Sequence, residues 1–178
     1  MKDHSARRGK IDVREASAVD AAAIAGIYNQ GIEDRIATFE TEPRSEAAIR
    51  DWLKSERPAI VVVENNGPPV AFALASSYRD RPCYSGIYEF SVYTRRDKRG
   101  FGYGRMAMDR LIETARDNGA WKLVSRIFPE NTSSRALCAA LGFREVGTYE
   151  RHGKLNGQWR DTVIVEKLID EENRQADG

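Results

Sequence analysis

The sequence contains few of the features that mark disulfide-rich, membrane-spanning or disordered proteins. It has only two cysteines, Cys83 and Cys138, which lie far apart and form no CxxC pair, so neither a disulfide framework nor a zinc site is expected. No apolar run reaches the roughly 18 residues of a transmembrane helix. With 6 prolines among 178 residues and 41% hydrophobic residues, the composition is that of a folded domain. We therefore expect a soluble protein of the bacterial cytoplasm that binds no metal and no membrane.

An excess of charge of one sign is also missing. The 28 basic and 27 acidic residues give a formal net charge of +1, which argues against a nucleic-acid-binding protein because such proteins carry a strong basic excess. Residues 1–10 are basic but lack the apolar core of a secretory signal. We expect residues 1–10 and 170–178 to be polar, mobile tails that flank one domain over residues 11–169, a size typical of a single domain.

Hydrophobic periodicity and turn residues predict the order of helices and strands. Short alternating or β-branched runs predict strands. Apolar positions at helical spacing that end at a glycine, as in residues 105–118 before Gly119, predict helices. The resulting order is β-α-α-β-β-β-α-β-α-β-β. It indicates a mixed α/β domain around one central sheet and excludes the strict alternation of a doubly wound fold.

The most informative segment is the glycine-rich stretch between a predicted strand and a predicted helix. Gly100, Gly102 and Gly104 permit positive φ angles and close approach of another molecule to the backbone. The N-terminus of the following helix attracts phosphate, and four basic residues within positions 95–99 are expected to raise the local potential. The segment is neither a Walker loop nor a GxGxxG fingerprint. On its own it fits a phosphate-binding loop and a charged turn that caps a helix equally well.

Two motifs in this region resemble the GNAT acetyltransferase superfamily. Arg99-x-x-Gly102-x-Gly104 matches its R/Q-x-x-G-x-G signature, and residues 131–143 follow with an asparagine, a serine and a terminal Leu-Gly-Phe at the expected distance. The resemblance, which spans residues 11–169, implies a mostly antiparallel sheet of six or seven strands, about four flanking helices and acetyl-CoA as cosubstrate. It implies that acetyl-CoA contacts these residues: Ser91, Val92, Tyr93, Arg99, Gly100, Phe101, Gly102, Tyr103, Gly104, Asn131 and Ser134.

A closer resemblance is to the phosphinothricin acetyltransferase branch of this superfamily. It rests on residues 28–29, 38–43, 88–93 and 157–161, together with Tyr84. Within that branch, the runs WKLVSRIFPEN and EVGTY are most similar to arsinothricin N-acetyltransferases. The branch implies transfer of an acetyl group to the α-amino group of a phosphinothricin-like or arsinothricin-like amino acid, which confers resistance to that compound.

The resemblance places the catalytic base at Glu89. An acidic residue is unexpected in the apolar and aromatic run from Ile87 to Tyr93, and partial burial is a common way to make a carboxylate take up protons near neutral pH. We expect Glu89 to deprotonate the α-ammonium group, directly or through water, and backbone N–H groups near Ser91 and Val92 to stabilise the oxyanion. The alternative from the residue pattern alone is a solvent-facing glutamate on a half-buried strand.

Substrate recognition is expected to involve arginine, because a guanidinium group matches oxyanions in a bidentate manner. Arg79 and Arg81 precede the predicted strand of Glu89, in the segment where the branch keeps basic substrate contacts, although a solvated loop is the commoner place for arginine. Four further residues are expected to line the substrate site, the last two near the substrate carboxylate: Phe39, Tyr84, Thr162 and Val163.

Cys138 departs from the family, in which many members carry tyrosine or histidine at this position. The thiol is either a proton donor to the CoA thiolate or, as its residue type favours, a small buried packing residue. Neither histidine is expected to take part in the reaction, because His4 lies in the predicted tail and His152 lies in a predicted hairpin.

Other functions stay open at this point. Methionine sulfone and methionine sulfoximine share with phosphinothricin a tetrahedral polar group at the end of the side chain. A protein N-terminus offers the same amine chemistry. A non-catalytic acyl-CoA-binding module is a third alternative, against which Glu89 argues. A homodimer is expected by analogy with the branch, with Trp159 and the 150–160 hairpin as its candidate contact surface.

Overall fold

The structure, a computed structural model, describes residues 9–170, in which strands and helices follow the predicted order. The strands are β1 (Ile11–Glu15), β2 (Ala59–Glu64), β3 (Pro69–Ser77), β4 (Ile87–Thr94), β5 (Lys122–Ile127), β6 (Arg144–Leu155) and β7 (Gln158–Leu168). The helices are α1 (Ala21–Asp34), α2 (Glu46–Trp52), α3 (Tyr103–Asp117) and α4 (Thr132–Ala140). Nearly all of the two predicted tails, and with them His4, lie outside the described residues.

The seven strands join one sheet in the order β1-β2-β3-β4-β5-β7-β6. Neighbouring strands run antiparallel except β4 and β5, which run parallel because α3 carries the chain back across the sheet between them. The prediction of a mixed fold with a mostly antiparallel sheet and four flanking helices is confirmed. Since β7 rather than β6 pairs with β5, the last hairpin inserts its second strand into the sheet and leaves its first strand at the edge.

Two hairpins of the sheet turn on asparagine. Asn65 and Asn66, between β2 and β3, both adopt the left-handed conformation, with φ angles of 55° and 57°. Asn156 (φ 50°) and Gly157 (φ 78°) do the same between β6 and β7. Two consecutive residues with positive φ form the mirror-image turn whose twist matches that of the strands, and asparagine and glycine are the residues that tolerate it. These turns help to set the register of both hairpins.

Each face of the sheet carries its own apolar cluster. On one face, α3 and α4 cover a cluster that includes Met108, Leu111 and Phe90. On the other face, α1 and α2 cover a cluster that includes Ile27 and Phe72. Removal of these side chains from water is the main force that holds the helices on the sheet. Because β4 is the fourth of seven strands and contacts both layers, it is the element to which the rest of the fold is fixed.

Helix α1 extends further than the sequence pattern predicts. The apolar spacing predicts a helix that ends near Tyr28, whereas α1 continues through Gly31 to Asp34. Close packing requires the glycine, because a Cβ atom there would lie 2.7 Å from Cε1 of Tyr93. The ring of Tyr93 has little room to retreat, since it stacks on Phe72 and meets Tyr28 edge-on. The glycine therefore marks a contact between α1 and β4, and not the end of the helix.

Replacement of Gly31 by alanine should destabilise the protein by about 1–3 kcal/mol, the usual cost of overpacking a core. The matched control is Gly26→Ala in the same helix, where the added Cβ meets nothing within 4 Å and should stabilise the helix by about 0.5–1 kcal/mol. Urea unfolding of both variants measures the difference. Equal free energies of unfolding would contradict the close contact between α1 and Tyr93.

Candidate functional site

Strands β4 and β5 separate partway along their length. Their parallel register is limited to three pairs, of which Glu89↔Val124 is the last, although β4 continues to Thr94 and β5 to Ile127. On its other edge, β4 stays paired with β3 as far as Thr94. The C-terminal half of β4 therefore has one free edge, which faces a gap in the middle of the sheet and carries main-chain groups without sheet partners.

The strand alternation decides which main-chain groups of β4 face this gap. Arg95 donates its N–H to a carbonyl of β3 (2.8 Å), so odd-numbered residues of β4 pair with β3 and even-numbered ones face β5. In agreement, the carbonyl of Phe90 accepts a hydrogen bond from Oγ of Ser125 on β5 (2.9 Å). Of the two predicted oxyanion donors, Val92 therefore directs its N–H into the gap. Ser91 directs its N–H toward β3 and lines the gap only with its remaining atoms.

Two adjoining cavities open at the gap. The larger, about 340 Å³, extends from the gap to the glycine-rich loop and the start of α3. The smaller, about 50 Å³, lies against β5. Five lining residues belong to both cavities: Ala37, Val92, Tyr93, Asn131 and Ser134. A long ligand can therefore occupy the larger cavity and present one end to the smaller.

The glycine-rich loop forms the outer wall of the larger cavity. Gly100 and Gly102 have φ angles of 83° and 87°, a conformation that costs other residues about 1–2 kcal/mol. Helix α3 begins at Tyr103, so the N–H groups of its first turn point toward the N-terminal end of the helix. A Cβ atom at Gly104 would lie 3.2 Å from Oγ1 of Thr94, which shows how closely the helix start approaches β4. This is the geometry of an anion-binding helix N-terminus.

Two arginines of the loop are tied to the end of α1. Arg96 and Arg99 both donate to the carboxylate of Asp34, at 2.9 Å and 2.5 Å, and Arg96 also pairs with Glu33. Burial alone would raise the pKa of Asp34, but the hydrogen bonds from both arginines outweigh it and hold that pKa below its usual range. The link between α1 and the loop is therefore intact above about pH 4 and is lost only as the pH falls further.

The two other basic residues of the loop are paired as well. Arg95 donates to Asp97 (2.6 Å), and Lys98 donates to Glu64. The expected rise in the local potential from the four basic side chains is therefore largely offset, because each of them has a carboxylate partner. An anion at this loop is met mainly by the backbone N–H groups at the start of α3.

The remaining side chains of the loop differ in their surroundings. Phe101 is 63% exposed, whereas Tyr103 is buried and donates its hydroxyl to Glu64 (3.0 Å). Neither is among the residues that line the two cavities. Arg105, which the sequence motifs did not single out, does line the larger cavity, with its Nε 3.7 Å from Asp109. The side chains of Phe101 and Tyr103 therefore lie outside both cavities, and their contact with acetyl-CoA stays a prediction.

Asn131 lies at the junction of the two cavities. It is the N-cap of α4, and its side-chain oxygen accepts the N–H of Ser134 (3.2 Å), as is usual for asparagine at this position. The cap fixes the side chain and leaves its amide nitrogen available to a ligand. The structure thus brings Asn131 and Ser134 together with Val92 and the glycine-rich loop, as the sequence motifs predict.

Glu89 lies where β4 and β5 begin to part. Its side chain is 24% exposed and, by strand alternation, lies on the opposite face of the sheet from Phe90 and α3. Oε1 of Glu89 accepts two hydrogen bonds from Arg126 of β5, one from Nε (2.9 Å) and one from Nη2 (2.5 Å). Glu89, expected in apolar surroundings, is in fact one half of an ion pair with Arg126, which fixes the direction of its carboxylate.

Arg126 is a residue of the site that the sequence motifs do not single out. A weak signal was present, because Arg126 is a charged residue within a predicted strand, as Glu89 is, but no family motif marked it. The sequence pattern does not show that Arg126 and Glu89 are neighbours. The two residues are far apart in the chain, and the strands that carry them run parallel.

The two predicted substrate arginines lie on the loop between β3 and β4. Arg79 and Arg81 are exposed, and their guanidinium groups lie over the rings of Tyr78 and Tyr84 at 5.3 Å and 5.7 Å. Among the described residues, no carboxylate forms an ion pair with either arginine. Both therefore remain able to take an oxyanion, at the N-terminal end of β4 and outside the two cavities.

The other predicted substrate residues are more deeply packed. The ring of Phe39 meets Phe128 edge-on at 4.8 Å and lies against Gly153 of β6. Thr162 and Val163 are 1% and 4% exposed and are not among the residues that line the two cavities. Contact of these two residues with a substrate carboxylate stays a prediction, and the burial of their side chains leaves little of them within reach of a ligand.

Comparison with known proteins points to one family. The model of the Acetyltransferase (GNAT) family matches residues 24–143, which contain the gap, the glycine-rich loop and α4. The L-methionine sulfoximine/L-methionine sulfone acetyltransferase of Pseudomonas aeruginosa is 29% identical over 89% of this chain and 94% of its own. The phosphinothricin N-acetyltransferase of Alcaligenes faecalis is 32% identical over 84% of this chain and 78% of its own. The structure of yncA from Salmonella typhimurium with its cofactor acetyl-CoA matches with a TM-score of 0.87 at 28% identity, over 92% of this chain and 96% of that one.

The two cysteines should differ in reactivity. Cys138 is 2% exposed and burial raises the pKa of its thiol to about 11, so it stays protonated near neutral pH, whereas Cys83 is exposed. Because the thiolate is the reactive form, a thiol reagent should label Cys83 quickly and Cys138 only when the protein unfolds. Cys83→Ser should remove the fast phase and Cys138→Ser the slow one. Two fast phases in the folded protein would contradict the packing role of Cys138.

Proposed function

The chain belongs to the GNAT acetyltransferase family, and from that premise we propose that it moves an acetyl group from acetyl-CoA to the α-amino group of a small amino acid. The observation that carries this proposal is the pair of adjoining cavities at the gap between β4 and β5. One cavity ends at an anion-binding helix start, and the other reaches the strand of Glu89. A cosubstrate with a diphosphate at one end and a thioester at the other matches that arrangement.

Acetyl-CoA is proposed to bind along the larger cavity. Its diphosphate would lie on the N–H groups at the start of α3, where Gly102 and Gly104 allow close approach. Its acyl end would reach the junction that Asn131, Ser134 and Val92 form. The N–H of Val92 then lies beside the thioester carbonyl, where it can stabilise the oxyanion of the tetrahedral intermediate.

The proposed reaction is a direct transfer without a covalent enzyme intermediate. Oε2 of Glu89 accepts a proton from the α-ammonium group, and the freed amine attacks the thioester carbonyl carbon. The C–N bond forms and the C–S bond breaks. The nitrogen loses a second proton, which balances the departing CoA thiolate as a thiol, and the proton on Glu89 returns to solvent. Cys138 is too deeply packed to serve as the proton donor to the thiolate.

For the substrate we propose a phosphinothricin-like or arsinothricin-like amino acid, whose acetylation would confer resistance. The similarity to the Alcaligenes phosphinothricin enzyme supports this choice, as do the exposed, unmatched Arg79 and Arg81, which suit a distal phosphinate or arsinate. The similarity to the Pseudomonas enzyme favours methionine sulfoximine or methionine sulfone as a second candidate. Both candidates share an α-amino acid head and a tetrahedral polar tail.

The homodimer and the cytoplasmic location stay predictions. Trp159 is 54% exposed and Tyr149 on the paired strand is 52% exposed, so the last hairpin offers apolar surface to a second copy of the chain. No helix within residues 9–170 combines the length and the apolar character that crossing a membrane requires.

A panel of amines tests the proposed function. Purified protein with acetyl-CoA is mixed in turn with phosphinothricin, arsinothricin, methionine sulfoximine, methionine sulfone and an N-terminal peptide, and thiol release is followed. Turnover of one or more of the four amino acids supports the proposal, and their relative kcat/KM values identify the preferred one. Turnover of the peptide alone, or acetyl-CoA binding without turnover of any amine, would reject it.

Gly102→Ala should weaken acetyl-CoA binding by about tenfold or more, because an alanine at a φ of 87° strains and displaces the start of α3. Gly119→Ala is the matched control, since it has a φ of 84°, equally open space, and a place at the other end of the same helix. Both variants should lose a similar free energy of unfolding. Calorimetric titration with acetyl-CoA should find a raised Kd only for Gly102→Ala, and equal Kd values would move the diphosphate site elsewhere.

Glu89→Gln should lower kcat by about 10²–10⁴-fold, the range for loss of a positioned base, with little change in the Kd for acetyl-CoA. The amide keeps the shape of the side chain but cannot accept the ammonium proton. The matched control is Glu113→Gln, an exposed residue of α3 outside both cavities, which should leave kcat unchanged. A fully active Glu89→Gln enzyme would remove Glu89 from the mechanism.

A further inference from the structure

An α-amino acid brings two opposite charges to the site, and the proposed reaction uses only one of them. Glu89 serves the ammonium group, whereas Thr162 and Val163, the residues predicted to meet the carboxylate, are buried. A carboxylate that leaves water without a partner pays a large desolvation cost. A substrate of this class therefore needs a cationic or hydrogen-bond-donating group close to Glu89.

We infer that Arg126 binds the α-carboxylate of the substrate while it holds Glu89, so that the two side chains form one site for the zwitterionic head of an amino acid. The inference rests on the proposed N-acetyltransferase function. Both hydrogen bonds from Arg126 fall on Oε1 of Glu89. Oε2 of the carboxylate and the N–H groups of the guanidinium that these bonds do not use therefore remain available.

The position of Arg126 suits this role. Its side chain is 47% exposed, and it is the one cationic side chain among the described residues that line the smaller cavity. Val92 and Asn131 line the same cavity, so a carboxylate held by Arg126 lies next to the proposed thioester site. Because the amine and the carboxylate of an amino acid share one carbon atom, a carboxylate on Arg126 brings the amine to Glu89.

Two other cations of the sheet are paired with carboxylates of their own. Arg160 pairs with Glu130 (2.8 Å), and Lys122 pairs with Glu166. Arg79 and Arg81 lie on the loop before β4 and suit the far end of the substrate. The two ends of the proposed substrate thus meet different arginines, which would make the enzyme selective for amino acids that carry a second oxyanion.

The charges of the paired site match those of an amino acid head. The Arg126–Glu89 pair carries no net charge, and neither does a zwitterion, so binding exchanges one ion pair for two without an unpaired charge. A simple amine would leave Arg126 without a new partner, and an α-carboxamide would lose the charge-assisted contact. Selectivity for α-amino acids over their amides is therefore the property that Arg126 should control.

The test compares the best amino acid of the panel with its α-carboxamide on wild-type enzyme and on Arg126→Gln. We expect Arg126→Gln to reduce the ratio of kcat/KM for acid over amide by about 10- to 100-fold, the worth of one charge-assisted contact. Any fall in kcat that both substrates share reports the looser Glu89. Because the same two substrates meet every variant, their intrinsic difference in reactivity cancels from the comparison.

Two further variants complete the test. Arg144→Gln is the matched control, because Arg144 contacts a single oxygen of Glu166 through the same two nitrogen atoms, at 2.8 Å and 2.5 Å, away from both cavities. It should keep the wild-type ratio. Arg126→Lys keeps the charge and should restore part of the ratio. An unchanged Kd for acetyl-CoA shows that each variant is folded.

Each outcome separates the two claims. If wild-type enzyme acetylates an amino acid but Arg126→Gln keeps the full acid-over-amide ratio, Arg126 only positions Glu89 and the carboxylate assignment is overturned. If the wild-type enzyme acetylates none of the amino acids, the proposed function fails and the inference fails with it. Loss of the ratio in Arg126→Gln together with its retention in Arg144→Gln supports the paired site.

Discussion

The separation of β4 from β5 is the constraint on which the rest of the site depends. A continuous ladder would use the N–H of Val92 within the sheet and would leave no space between the strands. Instead the ladder stops at Glu89↔Val124, and the side chain of Ser125 takes up the carbonyl of Phe90. The two cavities, the N–H of Val92 and the ion pair of Glu89 with Arg126 all lie at or beyond this point. One interruption of the backbone pairing thus provides both the space and the free N–H on which the proposed reaction depends.

The gap stays open because the elements around it are fixed to one another. Asp34 ties the end of α1 to two arginines of the glycine-rich loop, and Gly31 lets the same helix press on Tyr93, which lines both cavities. On the other side, the cap of Asn131 fixes the start of α4. Because these elements are ordered before a ligand binds, binding loses less conformational entropy.

Local signals in the sequence predicted the parts of the site that depend on the backbone. Positive-φ glycines such as Gly102 and a capping residue such as Asn131 leave their mark within a few residues of the chain. Partners across the sheet leave none, which is why Arg126 was missed as the neighbour of Glu89. The burial of Thr162 was missed for a similar reason, because it depends on how the last strand is covered and not on its own pattern of residues.

The ion pairs of the glycine-rich loop have a consequence for how acetyl-CoA reaches the protein. Since four carboxylates, those of Glu33, Asp34, Glu64 and Asp97, offset the loop's four basic side chains, little long-range attraction remains to steer a polyanion toward the pocket from solution. Capture depends instead on short-range dipoles, which added salt screens only weakly. The association rate should accordingly vary little with ionic strength, and the enzyme would work much the same in dilute buffer as in the crowded, saline interior of a cell.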